Sequence, residues 1–457
     1  MPLAVFTNRP IKFWLKVANL SIPVAMQMFL QSFMGMADVV MVGSLGEAAI
    51  AAVGLSAKLH FLLLVIMTGI ATAASILIAQ YFGANKSDKY LGILVIALVT
   101  GLLAMVPWVV LFGWYADVWV TWINPDKVVV NFANQYLAIT APVLIFAQII
   151  VIYEASLRAL GNTKLPLMAA IVAAALNVLL NYLLIFGHWG FPQLGVAGAA
   201  WATLISRGVQ LLVVVGWIYL SGHQFVIRRQ DIKIFNQPTQ VKKYLRIAIP
   251  LIFNYGMWAI GNTTYHVVMG YTSTDALAIM GALVPIETAF FAFFVGLANA
   301  SAVLIGRALG QDLFDEAWKL YKLFLHFSIS LLLLFIALVW IFKTHIILMF
   351  GRFDAVATQM LIHTLSIFCI LIWLKVLNML RIIGVLRAGG DIKFCLIMDI
   401  TVMWVFGIPI YLLATFVFKW PFLILYTLIY FEEILKFIAV TKRITVKKWM
   451  QNLTLDG

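Results

Sequence analysis

Apolar runs of about twenty residues recur from one end of this chain to the other, and no polar stretch between them is long enough to fold as a soluble domain. A run of that length crosses a hydrocarbon core as a helix. A helix satisfies its own backbone hydrogen bonds, which lipid cannot do for it. Composition agrees: 64% of the 457 residues are hydrophobic and 11% are charged, where a soluble protein carries about 25% charged residues. The expectation is an all-α integral membrane protein.

Gly, Pro and charged residues punctuate the runs into about twelve spans: 14–44, 47–83, 89–116, 129–160, 164–188, 195–221, 243–271, 275–309, 316–343, 355–386, 391–416 and 420–441. The longest hydrophilic segment, Ser221 to Lys243, carries Arg228, Arg229, Lys233, Lys242 and Lys243. It divides the chain into an amino-terminal six-helix lobe (1–221), a connecting loop (222–242) and a carboxy-terminal six-helix lobe (243–457). The net charge of +13 would suggest nucleic acid in a soluble protein. Here the cations gather in alternate loops, the cytoplasmic bias of membrane proteins. Arg9, Lys12, Lys86, Lys89, Lys164, Lys319, Lys322, Lys393 and the Lys442–Lys448 region fall on one side, and Lys127, Lys343, Arg352 and Lys419 on the other. Both termini are therefore expected in the cytoplasm, and no nucleic-acid partner is expected. The basic lead into the first span has no small-residue cleavage site, so that span reads as retained. The two cysteines, Cys369 and Cys395, lie in apolar helices and form no disulfide framework or metal spacing.

Shifting the sequence by 227 residues lays Pro23–Gly83 on Pro250–Gly310 without a gap. It pairs Pro23 with Pro250, Gly43 with Gly270, Gly54 with Gly281, Gly69 with Gly296 and Gly83 with Gly310. A second match, at an offset of 229, sets Leu157-Arg158-Ala159 on Leu386-Arg387-Ala388. Small residues recur in membrane helices because helices pack through them, yet one offset held through two whole helices points to duplication. Six helices per half return the chain in the same orientation, so the repeats are parallel, related by an axis along the membrane normal.

Ionisable groups inside a membrane are costly, which makes each a functional candidate. Asp38 lies deep in the first span, about fifteen residues past Pro23. A carboxylate there must be protonated, neutralised by a cation or reached by water, and each option ties its state to an ion gradient. Asn177 and Asn181, four apart on the fifth span, share one helix face and offer neutral amide oxygens to a small cation. Thr203 in the sixth span can add a hydroxyl. Pro23 removes a backbone hydrogen bond and can kink the first span. In the second half Asp38 maps to Tyr265, so the acid is not duplicated. Glu287, Asp399 and Lys375 are candidates there for coupling, for substrate contact or for a static ion pair. His60, the repeat equivalent of Glu287, reads as a hydrogen-bonded interhelical group, Glu154 and Arg158 as an i, i+4 pair, and Glu432 and Glu433 with Lys436 as local pairing.

The chain resembles the multidrug and toxic compound extrusion (MATE) family over almost its whole length. The likeness is carried by Gln31-Ser32-Phe33-Met34-Gly35-Met36-Ala37-Asp38, by Leu157-Arg158-Ala159-Leu160-Gly161-Asn162-Thr163-Lys164, by the stretch Asn177 to Gly187, by Gly195-Val196-Ala197-Gly198-Ala199-Ala200, and by Leu386-Arg387-Ala388-Gly389-Gly390-Asp391. The NorM-like bacterial branch is the nearer, because Asn181 stands where the DinF-like branch often has Asp. The resemblance implies a V-shaped pair of six-helix lobes, alternating access, and export of amphipathic, often cationic organic compounds against Na+ or H+, with no cofactor. It implies a monomeric, multi-pass protein of the bacterial cytoplasmic (inner) membrane. It also implies a cation site at Asp38, Asn177 and Asn181 in the amino-terminal lobe, and bending of the first helix at Pro23. NorM-like relatives often have a Glu where this chain has Trp258, which speaks against a family-like second cation site. A flippase for lipid-linked oligosaccharide or lipid is the related alternative, but the arginines lie mainly in loops rather than in a cavity. No Gly-x-Ser-x-Gly, His-Glu-x-x-His or Cys/His cluster suggests an enzyme.

Overall fold

The computed structural model describes residues 11–123, 125–349 and 355–455; Arg9 and Arg352, used above for topology, lie outside them. Among the described residues every regular element is a helix. The first half contains α1 (Ile11–Gly43), α2 (Glu47–Gly83), α3 (Ser87–Trp114), α4 (Ala116–Ile123), α5 (Lys127–Thr140), α6 (Val143–Ala159), α7 (Lys164–Phe186) and α8 (Val196–Leu220). The second contains α9 (Pro238–Gly270), α10 (Thr274–Gly310), α11 (Phe314–Met349), α12 (Ala355–Arg381), α13 (Ile392–Ile400), α14 (Ile408–Leu412) and α15 (Phe422–Thr445).

Nine helices among the described residues are long and apolar enough to cross a membrane, and the bent pair α5–α6 makes a tenth. That pair replaces the continuous span expected at 129–160. It bends by 50° because Pro142 has no N–H to give and its ring blocks the preceding turn. The expectation of twelve also counts α9, of 33 residues, and α15, of 24. Both are long enough at about 1.5 Å per residue, but their apolar character is interrupted by Lys242, Lys243, Arg246 and Asn254 in α9 and by Glu432, Glu433 and Lys436 in α15. The expected eleventh span is not one regular helix either: wide, π-type turns occupy Thr401–Gly407 and Leu413–Val417 around α14. The expected connecting loop contains a 3-10 turn, Arg229–Asn236, whose Ile234 side chain packs against Gly92 of α3.

The repeat extends to the helix ends. The ends of α1 and α9, both bounds of α2 and α10, and the starts of α3 and α11 each differ by 227 residues. So does a packing contact. A Cβ on Gly69 would meet the Ile252 backbone at 2.9 Å, and one on Gly296 would strike Ser21 and the backbone of Ala25; Ala25 and Ile252 are 227 apart. Two compact units result. The amino-terminal unit comprises Met26–Tyr81 and Asn85–Ile252, and the carboxy-terminal unit the described part of Met1–Ala25, Phe82–Ala84 and Phe253–Gly457. The chain thus passes between units two residues after Pro23 and two after Pro250. Inside the amino-terminal unit, Leu63, Met67, Met105, Phe112 and Leu144 form one core. A second cluster holds Val42, Ala49, Tyr136, Ile185, Val196 and Ala199 together. The carboxy-terminal unit has one core around Phe290, Phe294, Phe368, Ile372, Tyr411 and Tyr430 and another around Leu297, Leu304, Phe324, Leu386 and Trp449.

Candidate functional site

Glycine chemistry sets up the polar centre of the amino-terminal unit. Gly187, in the left-handed conformation (φ 75°), caps α7, as a residue without Cβ can. The Leu194 N–H then donates to the Leu184 carbonyl at 2.8 Å, and α8 returns alongside α7. Gly198 lies against the Leu184 backbone with no room for a Cβ, which allows the close approach small residues permit in membranes. Counted back from that contact, Thr203 stands at the height of Asn177 and Asn181.

Asn177 and Asn181 are fully buried. Asn181 Nδ2 donates to Asp38 Oδ1 from α1 and, at 3.3 Å, to Asn177 Oδ1. The expected trio therefore meets, joined through the Asn181 amide, and Asp38 itself is half-buried. The Thr203 hydroxyl donates to the Ala199 carbonyl at 3.0 Å and is hydrogen-bonded to Tyr136 of α5. Tyr136 lies within electrostatic range of Asp38. Thr203 thus reaches the site through a phenol that the sequence reading did not include. Pro23 is buried within α1, in the other unit from Asp38.

Arg207 is the second unforeseen member, and it corrects the expectation that arginines keep mainly to the loops. It lies mid-way along α8, one turn past Thr203, within electrostatic range of Asp38 and Glu154. Its Nη1 donates to Gln210 Oε1 at 2.8 Å, and Gln210 Nε2 donates to Glu154 Oε1 at 3.2 Å. Arg158 closes on Glu154 at 3.7 Å, the pair the spacing foretold. His60 bonds through Nδ1 to the Ser56 carbonyl of its own helix at 2.9 Å, with its ring edge-on to Phe112 and Tyr136. The signal for Arg207 was its presence within a 25-residue apolar helix.

The candidates of the second half enter a separate network. Asp399 pairs with Lys436 of α15 (4.0 Å), not with Lys375, and accepts from Asn254 Nδ2 at 2.8 Å. Lys436 also holds Glu432 (3.1 Å) and Glu433 (3.7 Å), so the pairing expected to be local to α15 reaches across to α13. The Tyr265 hydroxyl donates to Glu432 Oε2 at 2.9 Å, and Asn378 Nδ2 to Glu433 Oε2 at 2.7 Å. Lys375 sits 4.9 Å above the Tyr430 ring, in electrostatic range of Glu287, Glu432 and Glu433. Glu287 accepts from the Tyr426 hydroxyl at 3.4 Å. Among the described residues no cluster of His, Cys, Asp and Glu is suited to a metal ion.

The sequence model of the MatE family matches residues 23–183 and again residues 250–413, two matches that begin at the paired prolines. Over 419 residues the chain is 26% identical to the uncharacterized transporter YisQ of Bacillus subtilis, covering 90% of each. It is 26% identical over 404 residues to a probable multidrug resistance protein NorM of Bacillus cereus, covering 86% of this chain and 85% of that one. Among solved structures, an outward-facing multidrug resistance MATE family transporter of the MOP superfamily superposes with a TM-score of 0.81 at 20% identity, covering 95% of this chain and 96% of that one. A MOP superfamily transporter from Pyrococcus furiosus, described as having a binding pocket of reversed polarity that suggests a different function, gives a TM-score of 0.81 at 19% identity over the same shares.

Proposed function

Because this chain belongs to the MatE family of membrane transporters, we propose that it is a secondary active exporter of small organic compounds, coupled to an inward Na+ or H+ gradient through Asp38. The observation that carries this reading is the bonded set Asp38–Asn181–Asn177, a carboxylate and two buried amides inside otherwise apolar helices. An acid in such a place is kept only with partners or a task. Asn181 donates to the ionised form of Asp38; once the carboxylate is discharged, that hydrogen bond weakens and the link between α1 and α7 loosens. An ion can drive a change of state only by binding the two states unequally, and a contact made by one charge state of Asp38 supplies such a difference. Tyr136 and Thr203 complete the wall on the α5 and α8 sides.

The wider scheme has both termini in the cytoplasm, two six-helix halves in the inner membrane, and alternate exposure of a substrate site. Amphipathic organic cations are the proposed cargo; the name of the NorM relative, a probable multidrug resistance protein, supports organic compounds in general. The test is extrusion of ethidium from proteoliposomes under separately imposed Na+ and H+ gradients, comparing the wild type with Asp38→Asn. Gradient-driven extrusion by the wild type and its loss in the variant support the reading. Equal coupled extrusion by both rejects Asp38 as the coupling acid.

A further inference from the structure

Helix α11 carries a tryptophan–lysine pair at each end of its apolar run. Lys322 Nζ stands 5.5 Å from the Trp318 ring centre, and Lys343 Nζ 4.4 Å from that of Trp340. Residues 323–342, between the lysines, include no Asp, Glu, Lys or Arg. Along the helix the two rings are about 33 Å apart at 1.5 Å per residue, close to the ~30 Å of a hydrocarbon core, so the pairs mark its two boundaries. The Trp318 end has one charge more. Lys447, beyond α15, brings a second ammonium within 4.9 Å of the same ring. Its backbone is left-handed (φ 59°), a conformation that a residue with a Cβ keeps only where its surroundings impose it. They do so on both sides. Arg443 grips Asp391 through Nε and Nη2, at 2.5 and 2.8 Å, and Trp449 is fully buried against Gly389.

We propose that Trp318, Lys322 and Lys447 form a binding site for the headgroup of an anionic phospholipid. Two ammonium groups drawn to one ring repel each other, and among the described residues neither has an ion-pair partner. The neighbouring acids are otherwise placed. Asp391 is held by Arg443, and Asp312 accepts from Asn452 Nδ2 at 2.8 Å. Asp315 and Glu316 lie in the first turn of α11, where the helix dipole favours them. A phosphate supplies the missing negative charge, and lysines bind it as point charges. The surface below the lysines favours a lipid over a free phosphate. Lys322, Ile329, Leu333 and Trp340 recur at i, i+7, i+11 and i+18, one stripe of α11, and all four are exposed. A phosphate held at Trp318 therefore has an apolar track for its acyl chains directly beneath, with the indole at headgroup depth. Every residue of the site belongs to the carboxy-terminal unit, and the inference is independent of the coupling scheme at Asp38.

The test uses purified full-length protein in detergent, titrated with dioleoylphosphatidylglycerol, dioleoylphosphatidylcholine or glycerol phosphate, with the bound species read by native mass spectrometry. The wild type binds phosphatidylglycerol on the order of tenfold more tightly than phosphatidylcholine. The double variant Lys322→Gln/Lys447→Gln loses that preference. Lys393→Gln/Lys442→Gln, which removes two exposed lysines flanking the Asp391–Arg443 pair, keeps it. Equal binding of the two lipids by the wild type overturns the inference, as does a preference that survives in Lys322→Gln/Lys447→Gln. Equal losses in both double variants overturn it too, because diffuse positive charge then suffices. Glycerol phosphate bound as tightly as the whole lipid reveals an anion site that makes no use of the apolar track, and it overturns the assignment to lipid. Should Lys322→Gln/Lys447→Gln fail to fold, Lys447→Gln alone carries the test and must lower the preference.

Discussion

Asp38 and Glu432 are both interior carboxylates, yet they meet their neighbours differently. Asp38 has one amide donor and a guanidinium held at a distance. Glu432 is fastened by a lysine at 3.1 Å and a phenol at 2.9 Å. Discharging the first would weaken one hydrogen bond, whereas discharging the second would break an ion pair and weaken a hydrogen bond as well. Replacing Asn181 by Ala removes a hydrogen bond to a charged group, worth about 1.5–3 kcal/mol; coupled extrusion in proteoliposomes should fall roughly ten- to a hundredfold, and the melting temperature in detergent should fall with it. Lys436→Met leaves Asp399, Glu432 and Glu433 without their shared cation, and breaking a buried ion pair from one side costs about 3–5 kcal/mol. Its melting temperature in detergent should drop by far more than that of Lys436→Arg. Asp38 and the Asn pair were legible in the sequence because an acid and two amides at helical spacing stand out in apolar runs. Arg207 carried the same signal but had no nearby partner in sequence, since Asp38 and Glu154 lie 169 and 53 positions away. The reach of Lys436 to Asp399 was hidden by Glu432 and Glu433, which satisfied it on paper.

Helices α7 and α8 act as one part. Their close packing at Gly198 and Leu184 sets the height of Thr203 and Arg207 against the two asparagines. Gly198→Ala puts a methyl group into a backbone carbonyl, and overpacking of that kind costs about 1–3 kcal/mol. Gly54→Ala, inside α2 but with open space around it, gains helix propensity and clashes with nothing, so its melting temperature should not fall, which separates packing from helix propensity. Because it shifts α7 on α8, Gly198→Ala should also weaken coupling. The α7–α8 turn could be foreseen from Gly187 and Gly195, but the break at Pro142 could not, because apolar residues run on through it and the span still looks continuous. The π-type turns around α14 left no mark at all in the pattern: a wide turn needs no Gly or Pro, only side chains that pack better one residue out of phase.

Over the whole molecule, the repeat was readable to the residue because backbone geometry, not chemistry, is what was duplicated. Paired prolines and paired glycines survive at one offset, and so do the contacts they permit. Gly69→Ala and Gly296→Ala should therefore destabilise by similar amounts, about 1–3 kcal/mol each, and the double variant should show their sum, since each contact lies within its own compact unit and separate sites add. An unequal pair of melting shifts would mean that the two contacts are not equivalent. The count of spans was less secure, because α9 and α15 place charges where a lipid-facing helix would carry leucine. The unlike interiors of the two halves have a further consequence. A dimer assembled from two copies of the amino-terminal half would bring two Asp38 carboxylates and no lysine-held anchor, and one from two carboxy-terminal halves would bring the anchor and no Asp38. Under the proposed role of Asp38, doubling either half should restore a membrane-embedded frame but no coupled transport, so chemical divergence closes the way back to the symmetric pair that the backbone still records.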